Sequence, residues 1–267
     1  MNNGNTLHEL VVERDRWVVK ANTLIQNSRF NLNLRQQRIL LYLISRIKPT
    51  DKDFQLYEFN LTDFCQVIGI GLSGGRDYAD LKEQIQELAS KCVWVKMPGD
   101  KEVLCRWIEK AIINHKSGTL QIRLDNDMRP FLLELKNNFT QYELIYTLQF
   151  KCKYSIRLYE LIKSFHFDEQ FPLTKTFEID ELKKRLSAET YKEYRDFKRF
   201  ALAPAVREIN NYSDKDIEVI ETKRGRKVLN LTFNIYSKPS EQTQIIFDNI
   251  NKELGINKTT QLSFWEF

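Results

Sequence analysis

The chain has 267 residues, 42% hydrophobic and 29% charged, enough for packed cores and a soluble surface in one large domain or two ordinary ones. No run approaches the roughly 18 apolar residues of a membrane span, and the opening MNNGNTLHEL lacks the charged start and apolar stretch of a secretory signal, so a cytoplasmic protein is expected. The net charge of +5, from 41 Lys and Arg against 36 Asp and Glu, is too small to imply polyanion binding by itself.

In chain order, RILLYLISRI (38–47) has the apolar spacing of an amphipathic helix, and FQLYEFNL (54–61) alternates like a half-buried strand. LTDFCQVIGI (61–70) follows as a short helix with Thr62 as its expected N-cap. After GLSGG (71–75), RDYADLKEQIQELASK (76–91) predicts a longer helix with Tyr78, Leu81, Ile85, Leu88 and Ala89 on one stripe. EVLCRWIEKAIINH (102–115) and TLQIRL (119–124) predict two strands joined around Lys116-Ser117-Gly118, a hairpin signal.

The second half repeats this order: SIRLYELIKSF (155–165) as helix, KTFEI (175–179) as strand, DELKKRLSA (180–188) as short helix. YKEYRDFKRFALAPAVREIN (191–210) then reads as a long helix, and DIEVIET (216–222) with KVLNLTFNIY (227–236) as a hairpin. Residues also correspond in register: Leu41-Tyr42 with Leu158-Tyr159, Phe59 with Phe177, Phe64 with Leu182, and Tyr78-x-Asp80-Leu81-Lys82 with Tyr194-x-Asp196-Phe197-Lys198. Helix, strand, helix, helix, hairpin is the order of a winged helix. The expected fold is therefore α+β, two tandem winged-helix domains related by internal duplication. Their expected spans are 16–140 and 141–238, with a C-terminal helix and tail over 239–267. The junction near 137–153 is not rich in Pro or Gly, so the domains are expected to touch.

A winged helix offers its third helix to the DNA major groove and its hairpin to the flanking phosphates. In the second domain, with Phe197, Ala201, Ala205 and Ile209 facing the core, Tyr194, Arg195, Lys198 and Arg199 become candidate DNA contacts. The wing tip Lys223-Arg224-Gly225-Arg226-Lys227 places four cations around a turn glycine. Pro204 removes one backbone bond inside the long helix and is expected to kink it. The first domain's helix offers Arg76, Lys82, Gln84 and Gln86, of which Arg76, Lys82 and Gln86 are retained as DNA-contact candidates. It also carries Asp77, Asp80, Glu83 and Glu87, which repel phosphate, so weaker DNA contact or a role in self-association is expected there.

The wording of three stretches resembles a known family. VVKANTLIQNSRFNLNLRQQRILLYLIS (18–45), KYSIRLYELIKSF (153–165) and YRDFKRFALAPAVREINNYSDKDIEV (194–219), running into KRGRKVLNLTFNI (223–235), resemble the plasmid replication initiators of the Rep_3 superfamily, the RepA, RepB and RepE-like proteins. The resemblance covers roughly residues 16–238. It implies monomers that bind directly repeated origin sites, help open adjacent AT-rich DNA and recruit host replication factors. It also implies dimers that bind an inverted operator and repress their own gene. In that family the second domain makes the dominant contacts to the repeats. The first adds DNA contacts and the dimer interface. The alternative is a winged-helix transcription regulator without a replication role.

No catalytic activity, cofactor or metal is expected. His8, His115 and His166 are too scattered for the His-hydrophobe-His metal motif of rolling-circle nickases, so Tyr191 and Tyr194 read as packing or DNA-contact residues. Cys65, Cys92, Cys105 and Cys152 form no C-x-x-C pair and read as reduced, mostly buried thiols. GIGLSGG (69–75) lacks the Lys-Ser or Lys-Thr of a Walker A loop. Beyond the repeat, EQTQIIFDNINKEL (241–254) predicts a short helix with Ile245, Ile246, Ile250 and Leu254 as its apolar positions. The run from Gln261 through Leu262, Ser263 and Phe264 to Trp265 is similar to the peptides by which partners dock on the bacterial sliding clamp.

Overall fold

The computed structural model describes residues 17–48, 51–70, 75–133, 135, 137–165 and 172–253. Its first half opens with strand β1 (Trp17–Ala21), the short helix α1 (Asn22–Asn27) and the two-residue strand β2 (Ser28–Arg29). Helix α2 (Leu34–Ile44) begins earlier than its apolar spacing alone indicates, because Asn33 and Gln36 form a reciprocal capping box. Strand β3 (Tyr57–Asn60), helix α3 (Leu61–Ile68) and helix α4 (Gly75–Ser90) follow. The N-cap of α3 is Asn60 and not Thr62: the Asn60 side chain accepts from the amides of Thr62 and Asp63, and Leu61 is already helical.

The stretch 102–115 is not one strand. It breaks at the fully buried Trp107 into β5 (Lys101–Arg106) and β6 (Ile108–Asn114). Strand β5 pairs with β4 (Cys92–Met97), unforeseen from the sequence, and β4 pairs with β2. Strand β6 pairs with β7 (Thr119–Leu124), which also pairs with β3. A winged-helix sheet of order β3-β7-β6 thus carries an inserted hairpin, β4–β5, that belongs to a separate sheet.

The chain then passes through α5 (Arg129–Leu132), β8 (Phe139–Glu143) and α6 (Leu144–Leu148). The boundary drawn at 140/141 falls inside β8, which pairs with β1 over Trp17–Ala21. The second half contains α7 (Lys153–Lys163), β9 (Leu173–Glu178), α8 (Ile179–Leu186), α9 (Tyr194–Phe197), a π turn (Lys198–Leu202) and α10 (Ala203–Tyr212). Strands β10 (Lys215–Arg224) and β11 (Lys227–Ser237) close it in a sheet of order β10-β11-β9. In both halves the last strand lies centrally, between the wing partner and the early strand. This shared topology is the structural form of the internal duplication.

Aromatic rings pack the core of each half, although the matching residues do not all meet matching partners: Tyr159, the counterpart of Tyr42, packs on Tyr142 and Phe150. Tyr42 packs 5.1 Å from Phe59 and 5.7 Å from Phe64, while Phe177 lies edge-on to Phe233 at 5.7 Å. Each fully buried ring contributes roughly 1.5–3 kcal/mol through apolar area removed from water. The halves are also bolted together: Arg38 on α2 donates to the carbonyls of Leu148 and Phe150 at 2.9 Å each, and Gln37 donates to that of Lys153 at 3.0 Å. Helix α11 (Ser240–Glu253) packs on α6 and α10. Its buried face is centred on Ile250 with Ile246 and Phe247 beside it; Ile245 points outward at 59% exposure, and Leu254 lies outside the described residues.

Candidate nucleic-acid interface

The long helix of the second half begins at Tyr194, not Tyr191, and runs through the π turn to Tyr212. Pro204 has no N–H to offer Phe200, and the amide of Ala203 donates to the Lys198 carbonyl five residues back. The disruption expected at Pro204 is therefore a π turn just before it. Phe197, Ala201, Ala205 and Ile209 are all fully buried. At about 100° per residue, such a strict four-residue spacing drifts by about 120° over its length on a regular helix. The π turn absorbs one residue and returns the stripe to the core.

Opposite that stripe, Arg195, Lys198, Arg199, Phe200, Ala203 and Arg207 are exposed. The Arg195 side chain is 89% exposed, and among the described residues only its neighbour Asp196 is within ion-pair reach, at 3.7 Å. Arg199 lies over the Phe200 ring at 5.0 Å, and Phe200, half exposed, stacks on Tyr191. Neither Phe200 nor Arg207 was singled out from the sequence. Arg207 stands two turns beyond Arg199 on the same face, a spacing that was there to be read.

The wing is a two-residue hairpin turn, Gly225-Arg226, closed by the pair Arg224 and Lys227. Gly225 has φ +62° and Arg226 is not left-handed, so the left-handed position is the first, where a Cβ is strained. Arg224, Arg226 and Lys227 are exposed, and among the described residues none has an ion-pair partner. Lys223 differs. Its Nζ lies 3.1 Å from Glu221 Oε2, while Lys198 Nζ and the Tyr194 hydroxyl both donate to Glu221 Oε1 at 2.6 Å. Those hydrogen bonds from Lys198 and Tyr194 hold the Glu221 carboxyl down at about 2. Burial, reinforced by Glu221, pushes the Tyr194 phenol up, so it stays protonated and is a poor nucleophile.

In the first half, α4 presents Arg76, Ala79, Lys82, Glu83 and Gln86 outward. Gln84 is buried and accepts from Asn33 at 2.8 Å, so it belongs to the packing against α2. Two acidic residues turn the same way: Asp80 pairs with Arg35, and Glu87 accepts from Gln36 at 2.6 Å. The outward face is thus less acidic than the helix as a whole, and Arg76, Lys82 and Gln86 share it.

Each of the two domains thus sets an outward helix beside a hairpin. Residues 17–163 match the family described as Initiator Replication protein, WH1, and residues 178–235 match Initiator Rep protein, WH2. The chain belongs to the initiator replication protein family. A Replication initiation protein of Escherichia coli is 25% identical over 247 residues, covering 90% of this chain and 75% of that protein. The PI protein of Escherichia coli is 28% identical over 141 residues, 47% of this chain and 46% of that one. The solved structure of Pi initiator protein in complex with iteron DNA superposes with a TM-score of 0.65 at 20% identity, covering 85% of this chain and 99% of that chain.

In this initiator the buried thiols of Cys65 and Cys105 are pushed up to about 11 by loss of solvent, which leaves them protonated and unreactive. Among the described residues, no group of three or more His, Cys, Asp or Glu is placed to hold a metal ion, and no helix is long and apolar enough to cross a membrane. The peptide Gln261–Trp265 lies outside the described residues.

Proposed function

We propose that this initiator binds directly repeated double-stranded DNA sites at a plasmid origin, with the second domain (141–238) making the main contacts. The observation that carries this is the joining of two cationic features on one surface. The helix face of Arg195, Lys198 and Arg199 meets the wing of Lys223, Arg224, Arg226 and Lys227 through Glu221. Arginines at the start of such a helix suit guanine edges in the major groove, and the wing suits phosphates or an adjacent minor groove. The DNA named with the Pi initiator structure supports the same reading.

The first domain (16–140) adds contacts from Arg76, Lys82 and Gln86 and supplies a self-association surface. Strand β5 is the edge of its sheet, and Trp94 faces Leu104 across the β4–β5 hairpin with both side chains about half exposed. A dimer formed there represses the initiator's own gene. The segment 239–267 carries the Gln261–Trp265 peptide as a clamp contact, among other host replication proteins. The protein works in the cytoplasm, without catalysis or cofactor.

Footprinting on the DNA flanking its gene tests the proposal. Protection of an array of direct repeats, and replication of a plasmid carrying the gene with that DNA, is the expected result. Protection of an inverted repeat alone, without replication, leaves a transcription regulator. Unchanged affinity for purified clamp after deletion of 261–267 removes that partner.

A further inference from the structure

Glu221 is an acid at the centre of a cationic surface, where it opposes the approach of phosphate. Its carboxylate is nonetheless the most connected group there. It takes the Tyr194 hydroxyl from α9, the Lys198 ammonium from the π turn and the Lys223 ammonium from the wing. Its side chain is only 17% exposed, whereas those of Lys198 and Lys223 are each 55% exposed. The register of β10 places Glu221 opposite Leu231 in the ladder, just before the irregularity between Thr222 and Lys223. The ladder therefore shifts register by one residue, at Leu229, immediately beyond the point where Glu221 ties the wing to the helix, and then resumes to the turn.

We propose that Glu221 is a specificity-determining positioning residue: it fixes wing and recognition helix as one rigid surface and offsets part of the charge of Lys198 and Lys223. This rests on the DNA-binding reading above. Two free lysines on long flexible stems accept any phosphate geometry and so raise affinity for every duplex alike. Two lysines held on one carboxylate are pre-placed, and only DNA whose phosphates match their spacing compensates for the nearby negative charge. Glu221 thereby sacrifices non-specific affinity for discrimination.

The test uses the full chain, a short duplex it enriches from a random pool, and a scrambled duplex of the same composition. Glu221→Gln is expected to bind scrambled DNA about three- to tenfold more tightly at low salt and to steepen the salt slope by about 0.9, the value for one more neutralised phosphate. The ratio of enriched-site to scrambled affinity is expected to fall about tenfold, within the range by which non-specific and specific binding differ. Glu221→Asp keeps the charge but not the reach, so it should retain the wild-type slope while lowering the ratio. A folded Glu221→Gln with unchanged slope and ratio overturns the inference. Should Glu221→Gln fail to fold by circular dichroism, an unchanged ratio in Glu221→Asp does the same. A wild-type chain that enriches no duplex sinks the DNA-binding reading itself, a separate outcome.

Discussion

Lys20 Nζ lies 2.5 Å from Glu160 Oε1, joining the first strand of the N-terminal half to the first long helix of the C-terminal half. Both side chains are almost fully buried; the Tyr142 hydroxyl donates to the same oxygen, and Arg157 lies 3.5 Å from the other. Burial pushes the Glu160 carboxyl up, but Lys20 and Arg157 together hold it below its usual range, so it is charged at neutral pH. Lys20→Met leaves an under-compensated buried carboxylate and is expected to cost about 3–5 kcal/mol. Adding Glu160→Gln removes that charge but strands the buried Arg157 guanidinium instead, so the double variant should recover little of the loss. Urea unfolding of both variants checks this; full recovery in the double variant would refute it.

Glu221 gives the second domain an acid-sensitive tie. Its folded carboxyl titrates at about 2 against an ordinary 4.5, so the contribution is fully present above 4.5 and lost as pH falls toward 2. Thermal melts of wild type and Glu221→Gln should show a constant gap in Tm near neutrality that narrows only below pH 4.5. A gap that instead closes between neutrality and about pH 5.5 would assign it to another group.

The wing tip should govern the salt dependence of DNA binding. Neutralising Lys223, Arg224, Arg226 and Lys227 together is expected to weaken binding to all duplexes and to flatten the salt slope by about 0.9 for each phosphate that the wing no longer neutralises. Arg224 and Arg226 should account for more of the change than Lys223, which already faces Glu221. An unchanged slope, read by fluorescence anisotropy over a range of salt, counts against wing–phosphate pairing.

Gly69 ends α3 in the left-handed conformation at φ +77°, and a Cβ there falls 2.6 Å from Arg38 Nη1. That guanidinium is the one that grips Leu148 and Phe150 from α2. Gly69→Ala therefore adds backbone strain of about 1–2 kcal/mol and pushes on a bolt between the halves. A loss confined to about 1–2 kcal/mol in urea unfolding, the backbone strain alone, would mean the arginine yields freely.

How much of this was legible follows from particular residues. The stripe Phe197, Ala201, Ala205 and Ile209 could be assigned to the core from the sequence, and all four are buried. The π turn could have been inferred too, because a strict four-residue repeat does not stay on one face of a regular helix. The β4–β5 hairpin was not legible: alternation marks a strand but names no partner, and the break at Trp107 depends on what buries that ring. Asn60 and Thr62 are both good caps, so the choice between them rested on where the strand releases the chain. Glu221 was invisible as a site residue because an acid among lysines on an alternating strand reads as solvated charge. Its role exists only once helix and wing are set side by side.

The duplication itself offers a test of the π turn. Leu81 and Ile85 of α4 stand 116 residues before Phe197 and Ala201, but Leu88 stands 117 before Ala205, so the second helix carries one extra residue between those core positions. The π turn at Lys198–Leu202 is where that residue is absorbed. Deleting Ala203 restores the core spacing of α4 on a regular helix but places Pro204 in the helix interior without the π turn, at about 3 kcal/mol. Combining the deletion with Pro204→Ala removes that conflict, and the double variant is expected to unfold cooperatively within about 2 kcal/mol of wild type, the scale of an ordinary substitution. Deleting Gln86 from the corresponding interval of α4, which has no spare residue, rotates Leu88 about 100° off the core and is expected to abolish cooperative unfolding. If the two deletions prove equally damaging, the extra residue of the second helix is not what the π turn accommodates.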